Sequence, residues 1–401
     1  MRIVYHHRTR ATDAQRIHIL EMVAAFRDLG HRVEIVSLVD TEAEMDNAQR
    51  DAADGFIRSS LRPIPFAYDA VQLAYNLAGF PLLLWKTLRF KAEFIYERYS
   101  LFNFAGALVS RLCGIPLVLE VNSPFALEQQ RDRDIRAFRL ATWTERAICN
   151  SAKIVIVVST PLCRIMIDAG VDPAKIVIMP NGVNLAHFQA QVDSRSLRRS
   201  LGLENRTVIG FIGWFRKWHG LRLLLQAFRD QGLAGDAAAV LLIGDGPEMA
   251  DLNAYVTEAG LTKDVIFTGP IPHPDVPPFV GLIDIAVQPA ANEYCCPMKI
   301  FEYMAAAKPI VAPRQENIVE VLRDGEDASL FTPEDEASLG RALRALIRDA
   351  EAARRMGERA REAINRRGYL WLANARRVVE TIEGLPVTGA REPVASGQPR
   401  L

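Results

Sequence analysis

The sequence has little of what an exported, disulfide-stabilised or zinc-dependent protein needs. Its five cysteines are odd in number and lack paired CxxC spacing, so neither a disulfide framework nor a zinc site is predicted. The first residues contain no apolar run and no cleavage-site pattern of a signal peptide. We therefore expect a protein of the reducing cytoplasm, without a bound metal.

Net charge and long apolar runs are also missing. Lys plus Arg and Asp plus Glu number 48 each, so no field over the whole surface attracts nucleic acid, and no nucleic-acid partner is expected. The longest uncharged stretch, residues 70–85, is interrupted by Gln72, Asn76, Gly79 and Pro81. It falls short of the roughly 20 apolar residues that a membrane-spanning helix needs.

The apolar and aromatic segment 63–90 has two interpretations. With Arg62, Lys86, Arg89 and Lys91 at its margins, it suits a surface that docks peripherally on a membrane and presents a lipid-linked acceptor. The alternative is a pair of helices buried in the first domain. The sequence leaves both interpretations open.

Short apolar runs alternate with helical patterns along the chain, which is typical of doubly wound α/β domains. At 401 residues the chain exceeds the size at which one core stops growing, so two domains are expected. We predict a first domain over residues 1–185, a second over 186–368, and a disordered tail over 385–401. Strands are predicted at 3–5, 33–39, 94–96, 117–121, 154–158 and 176–179, and then at 208–212, 240–243, 265–267, 283–287 and 309–311.

The segment 292–312 contains the strongest candidate for a ligand site. A strand ends shortly before it, and Pro297 marks the start of a helix whose N–H groups and dipole suit a diphosphate. Glu302, about one turn into the helix, is suited to accept hydrogen bonds from a ribose diol. The competing interpretation is an acid that merely stabilises the helix start. The candidate diphosphate-binding positions are Met298, Lys299 and Ile300.

Two further loops follow predicted strands. The loop after 208–212 contains Arg216, Lys217 and His219, and fixed cations at the carboxyl end of a strand neutralise charge on a leaving diphosphate. The competing interpretation is a solvated basic loop. In the loop after 240–243, Gly244 and Asp245 begin a tight GxG turn, which on its own is weak support for ligand binding.

Together with Pro180–Asn184 and Tyr369–Trp371, these segments resemble the retaining GT-B glycosyltransferases of family 4. The resemblance extends over nearly the whole chain. It implies two Rossmann-like domains facing across a cleft. It also implies that a last helix, within 369–384, crosses back to the first domain.

The resemblance also implies a function. A UDP- or GDP-sugar donor binds mainly to the second domain, with Glu302 on the ribose, Arg216 and Lys217 near the diphosphate, and Gly213 allowing close approach. The acceptor, a glycan, a lipid-linked molecule or a small molecule, binds to the first domain. Sugar is transferred with retention, without a metal or other cofactor, in polysaccharide or glycoconjugate biosynthesis.

Departures from the family pattern keep rival functions open. Asn122, a candidate catalytic residue with Arg216 and Lys217, stands where many relatives have a histidine. Tyr294 stands where many have a glutamate eight positions before the ribose-binding one. The family's basic pair falls nearer Trp214 and His219. A sugar-nucleotide epimerase of the same architecture is one alternative. A non-catalytic subunit that binds nucleotide sugar is the other.

Overall fold

The computed structural model divides into two compact units. Unit 1 comprises residues 1–180 and the segment from 371 onward, and unit 2 comprises residues 181–370. The expected tail at 385–401 and Arg62 lie outside the described residues. The structure describes residues 1–9, 14–38, 66–131, 135, 137–189, 194–234, 238–272 and 275–384.

Unit 1 is built on a parallel sheet with strand order β2-β1-β3-β4-β5-β6. Every residue of β3, β4 and β5 is buried, as expected for parallel strands covered on both faces. The strands are β1 (Arg2–His6), β2 (Arg32–Val36), β3 (Phe94–Arg98), β4 (Leu117–Val121), β5 (Ile154–Val157) and β6 (Ile176–Ile178). The helices before unit 2 are α1 (Ala14–Asp28), α2 (Ala67–Phe90), α3 (Ala105–Cys113), α4 (Phe125–Arg131), α5 (Phe138–Ser151) and α6 (Thr160–Asp168).

Unit 2 repeats the plan with strand order β12-β11-β10-β7-β8-β9, in which the chain reverses direction across the sheet between β7 and β10. The strands are β7 (Thr207–Ile212), β8 (Ala238–Ile243), β9 (Val265–Phe267), β10 (Ile285–Val287), β11 (Ile310–Pro313) and β12 (Ser329–Phe331). The sequence analysis did not predict β12.

The helices of unit 2 surround this sheet. They are α7 (Ala186–Gln189), α8 (Arg195–Ser200), α9 (Leu221–Asp230), α10 (Met249–Glu258), α11 (Val276–Leu282), α12 (Met298–Ala305), α13 (Glu316–Val319), α14 (Glu336–Arg348) and α15 (Ala350–Arg367). Helices α14 and α15 follow each other directly along the chain. Asp349 separates them and caps α15, since its carboxylate accepts a hydrogen bond from the Ala352 N–H at 2.8 Å.

The last helix, α16 (Trp371–Glu383), belongs to unit 1. The Trp371 ring lies edge-on against the His18 ring of α1, with centroids 4.6 Å apart. The Asn374 side-chain amide donates to the Pro180 carbonyl at 2.9 Å. The predicted α/β class, with two doubly wound sheets and a C-terminal helix that returns to the first of them, is confirmed.

Candidate functional site

Three loops meet at the carboxyl ends of β7, β8 and β10 in unit 2. The loop after β7 joins the loop after β8 through backbone bonds from Phe215 N–H to the Asp245 carbonyl, at 2.6 Å, and from Glu248 N–H to the Phe215 carbonyl, at 3.1 Å. The loop after β10 joins them where Ala290 N–H donates to the His219 carbonyl at 3.1 Å. The carboxyl ends of parallel strands are where open α/β sheets bind ligands.

Two glycines allow these loops to approach each other and a lysine. Gly213 and Gly244 have φ of +138° and +129°, which side chains rarely allow. A Cβ on Gly244 would lie 2.1 Å from the Gly213 carbonyl oxygen, and a Cβ on Gly213 would lie 3.1 Å from the Lys299 Nζ. Any larger residue at either position would displace its neighbour.

The loop that leads into α12 is held in place by amide side chains. Asn317 donates to the carbonyls of Asn292, at 2.9 Å, and Cys295, at 2.7 Å. Asn181 donates to the Cys296 carbonyl at 2.6 Å, and burial raises the pKa of the Cys296 thiol well above its ordinary value. The start of α12 is therefore fixed before any ligand binds.

Lys299, in the first turn of α12, occupies the centre of this region. Its Nζ lies 3.9 Å from the centre of the Phe211 ring and 3.2 Å from Nε2 of His219. Burial lowers the pKa of Lys299 to about 7, although the carboxylate of Glu302 and the thiol of Cys295 act in the opposite direction. Lys299 is therefore held over an aromatic ring with a pKa close to neutral pH, and a bound anion would favour its protonated, charged form.

His219 adds no positive charge to the site. Burial, followed by the charge of Lys299, lowers the pKa of His219 to about 2, so the imidazole is neutral at physiological pH. The side chain is buried, with only 6% of its surface exposed. The lysine is therefore the cationic side chain of this group, and the histidine is its neutral neighbour.

Glu302 lies three residues after Lys299, on the same face of α12. It is half-buried, whereas its neighbours Phe301 and Tyr303 are fully buried. The Tyr303 hydroxyl accepts a hydrogen bond from the Ile212 N–H at 2.9 Å and so joins α12 to the end of β7. The helix is anchored through its apolar face, which leaves the face with Lys299 and Glu302 to meet a ligand.

The other candidates of α12 and its neighbouring loops differ in accessibility. Ile300 is fully buried, and its N–H bonds the Pro297 carbonyl at 3.2 Å. The N–H groups that the first turn presents to a ligand are those of Met298 and Lys299. Arg216 is half-buried before a short 3₁₀ turn, and Lys217 is exposed in it.

From the sequence, Lys299 is predicted as a diphosphate-binding position, and Arg216 and Lys217 as the cations near the leaving diphosphate. The structure brings the side chain of Lys299 to Gly213, His219 and Phe211, a contact that the sequence did not predict. The spacing of three residues between Lys299 and Glu302 was the signal that could have revealed this pair. Among the described residues, no group of three or more His, Cys, Asp or Glu side chains is arranged to hold a metal ion.

Asn122 follows β4 in unit 1 and belongs to a different arrangement. Its amide donates to the carboxylate of Glu120, which also accepts hydrogen bonds from Arg98 at 2.7 Å and from Tyr96 at 2.7 Å. Burial raises the pKa of Glu120, but the charges of His18 and Arg98 and these hydrogen bonds together lower it. The carboxylate is thus a buried, fully partnered anion.

A second buried acid lies nearby in the same sheet. The Glu97 carboxylate bonds the Nδ1 of His6, whose Nε2 lies 3.4 Å from the Tyr75 hydroxyl. Burial and the charges of His6 and Arg98 lower the pKa of the adjacent His7 to about 4. The polar groups at the strand ends of unit 1 are therefore engaged mainly with one another.

Comparison with known proteins gives matches over both units. A family model described as Glycosyltransferase Family 4 matches residues 15–187, and one described as Glycosyl transferases group 1 matches residues 206–349. A curated relative, the 2-deoxystreptamine glucosyltransferase of Streptomyces kanamyceticus, is 26% identical over 351 residues, which are 83% of this chain and 89% of that protein. The D-inositol 3-phosphate glycosyltransferase of Corynebacterium jeikeium is 26% identical over 75% of this chain and 74% of its own length.

Solved structures share the fold. Anabaena HepE in complex with UDP and glucose has a TM-score of 0.72 at 19% identity, and the match covers 96% of this chain and 100% of that one. WaaG, a glycosyltransferase involved in lipopolysaccharide biosynthesis, has a TM-score of 0.64 at 12% identity, over 95% of this chain and 100% of its own. With glycosyltransferase models matching both units and this fold, the chain is a glycosyltransferase of the GT-B fold.

Proposed function

We propose that the chain is a retaining glycosyltransferase of family 4 that binds the diphosphate of a nucleotide-sugar donor in unit 2. The main observation that supports this proposal is the face of α12 on which Lys299 and Glu302 lie, with Lys299 beside Gly213 and His219. The lysine ammonium and the N–H groups of the first turn neutralise the diphosphate. The Glu302 carboxylate accepts hydrogen bonds from the ribose diol.

The same groups provide the catalytic effect. Negative charge accumulates on the diphosphate as the sugar departs, and a cation fixed beforehand stabilises that charge more than it stabilises the bound substrate. Lys299 is the main cation in this proposal, with Arg216 as a second contributor. The departing phosphate oxygen accepts the acceptor proton, so that no protein nucleophile is needed.

Several features of the substrate are proposed on the same basis. The HepE crystals hold UDP and UDP-glucose, which makes UDP-glucose the first donor to test, with GDP-sugars after it. The acceptor is proposed to bind unit 1 near Asn122. The curated relatives include proteins named for 2-deoxystreptamine and D-inositol 3-phosphate, which are suitable small acceptors to test beside glycans and lipid-linked acceptors.

Donor binding tests the site directly. A nucleotide sugar at a hundredfold excess over its dissociation constant should stabilise the protein by about 2.7 kcal/mol in a thermal-shift experiment. Glu302→Gln should raise the dissociation constant by roughly 10- to 100-fold, because a hydrogen bond to a charged group contributes about 1.5–3 kcal/mol.

The matched control is Glu293→Gln, because Glu293 is exposed in the loop before α12. This variant should bind the nucleotide sugar as the unmodified protein does. If no nucleotide sugar shifts the melting temperature, the donor site is wrongly assigned. Donor binding without transfer or hydrolysis would favour a non-catalytic subunit, and isomerisation of the sugar would favour an epimerase. Transfer should survive EDTA, since we propose no metal.

A further inference from the structure

Helix α2 of unit 1 buries three polar side chains and exposes several large apolar ones. The polar residues Asp69, Gln72 and Thr87 are buried beside the apolar Leu83, with 4%, 6% and 2% of their surface exposed. The large apolar side chains that are strongly exposed are Val71 at 50%, Leu77 at 82%, Trp85 at 50% and Leu88 at 60%. Ordinary surface helices turn their apolar stripe inward, so these exposed apolar side chains are not explained by the core of unit 1.

Helix α3, which packs beside α2, also exposes large apolar side chains. Two leucines of α3, Leu108 and Leu112, are 49% and 65% exposed. Single exposed apolar residues are common, but a set on two adjacent helices marks an interaction surface. We call the exposed residues Val71, Leu77, Trp85, Leu88, Leu108 and Leu112 the α2–α3 face.

The exposed charges on the two helices themselves are positive, and the nearby acids Glu34 and Glu93 pair with Lys86 and Arg2. Arg89, Lys91 and Arg111 are exposed on or directly after the two helices. Asp69, the one acidic residue within α2 and α3, is buried. The guanidinium of Arg89 lies 5.2 Å from the centre of the Trp85 ring, so a cation and an aromatic side chain meet at the margin of the face.

This charge pattern distinguishes between occupants. A symmetric contact with a second copy would bring identical surfaces together and would place the same cations near one another without exposed acids on these helices to pair with. An anionic surface complements them instead. None of the helices in the described part of the chain is long and apolar enough to cross a membrane. A helix with an apolar face, a tryptophan and flanking cations is suited to lie in the plane of a membrane interface.

We propose that the α2–α3 face docks unit 1 on a membrane that contains anionic phospholipids. Leu77, Trp85 and Leu88 insert among the headgroups, and Arg89, Lys91 and Arg111 attract the lipid phosphates. The proposal does not depend on the donor or acceptor of the enzyme. Of the two interpretations of segment 63–90, it favours a membrane-docking surface over a buried pair of helices, because α2 is a single helix with exposed apolar side chains.

Vesicle co-sedimentation of the full chain tests the proposal. The protein should sediment with vesicles of phosphatidylcholine and phosphatidylglycerol, and much less with phosphatidylcholine alone. The double variant Leu77→Ser/Leu88→Ser should bind roughly tenfold more weakly or worse, because burying one leucine side chain corresponds to at least that factor. Neutralising Arg89, Lys91 and Arg111 to glutamine should weaken binding about fivefold per residue.

The matched control is Leu140→Ser/Trp143→Ser, which removes two residues of α5 that are 44% and 54% exposed in the same unit. It should bind vesicles as the unmodified protein does. The proposal is wrong if the unmodified protein does not bind anionic vesicles. It is also wrong if Leu140→Ser/Trp143→Ser loses as much vesicle binding as Leu77→Ser/Leu88→Ser. It is also wrong if the protein is dimeric and Leu77→Ser/Leu88→Ser only makes it monomeric. The thermal shift with nucleotide sugar should be the same in both pairs, which separates this test from that of the donor site.

Discussion

The strand ends of the two units carry polar groups that are used in opposite ways. In unit 1, the acids Glu97 and Glu120 are 0% and 2% exposed and are engaged by histidine, arginine and tyrosine side chains. In unit 2, glycines line the loops and Lys299 lies over an aromatic ring with a depressed pKa. In unit 1 the Glu120 carboxylate is paired with Arg98 inside the unit, whereas in unit 2 the buried ammonium of Lys299 is stabilised by the carboxylate of Glu302 but keeps a lowered pKa.

This difference indicates what each arrangement does. A buried charge with all its partners in place stabilises or specifies a fold, and it changes little when a ligand arrives. A lysine held near its pKa responds strongly to an anion, because the anion restores the charged form. We therefore expect substitutions in the unit 1 network to affect stability, and substitutions around Lys299 to affect binding and turnover.

The largest effect is expected from Glu120→Ala. The variant would leave the Arg98 guanidinium, which is 7% exposed, without its anionic partner. Breaking a buried ion pair on one side typically costs about 3–5 kcal/mol of unfolding free energy. Urea unfolding of the full chain measures this loss, provided that the transition of unit 1 is followed.

Glu93→Ala is the control, because Glu93 pairs with Arg2 at 3.9 Å on the surface, where both side chains are about two-fifths exposed. An exposed pair of this kind contributes about 0–1 kcal/mol. Equal losses in the two variants would show that the Glu120 network is not the stabilising element that its burial indicates.

The second effect concerns turnover and compares Lys299→Met with Lys217→Met. Removing one preorganised group that stabilises transition-state charge typically costs about 2.7–4 kcal/mol, or roughly 100- to 1,000-fold in rate. We expect that loss for Lys299→Met and nearly unchanged turnover for the exposed Lys217→Met. The measurement is turnover of both variants at saturating donor and acceptor. A greater loss in Lys217→Met would show that Lys217, in the 3₁₀ turn, is the cation that stabilises the departing diphosphate.

The third effect is the pH dependence of donor affinity. Lys299 has a pKa of about 7, so it is protonated below that pH and becomes neutral above it. Since the proposed role requires the ammonium, donor affinity should fall as pH rises above 7, by up to about tenfold per pH unit. His219, with a pKa of about 2, stays neutral throughout and adds no titration. Binding isotherms of the unmodified protein and Lys299→Met check this, and a slope that persists in the variant would assign the titration to another group.

The fold was largely predictable because its strands are buried in parallel sheets and appear as short apolar runs. The pairing of Arg98 with Glu120 was not predictable, although these residues are register partners on β3 and β4. Strand order and register follow from packing in three dimensions, which the sequence does not display. The sequence left the nature of segment 63–90 open for a related reason, because Gly79 and Pro81 interrupt its apolar pattern although α2 continues through both residues.

The candidate site was predictable in part. Pro297 indicated the start of a helix, and the structure has α12 begin at Met298 directly after it. The side chain of Lys299 was overlooked because a lysine in a first helical turn has no distinguishing pattern by itself. Its position becomes specific only when Gly213, His219 and Phe211 from the neighbouring strand end are placed around it.

The smallest effect is expected from Asn122→Ala. The half-buried amide donates to Glu120, but that carboxylate keeps its bonds to Arg98 and Tyr96 when the amide is lost. A hydrogen bond to a charged group contributes about 1.5–3 kcal/mol, so the loss of unfolding free energy should be at most of that size and smaller than in Glu120→Ala. Turnover should fall less than in Lys299→Met. If the departing phosphate accepts the proton, no larger loss is expected in the chemical step. The test compares the turnover of Asn122→Ala with that of Lys299→Met. A greater loss of turnover in Asn122→Ala would indicate that the Asn122 amide binds the acceptor or the reacting sugar.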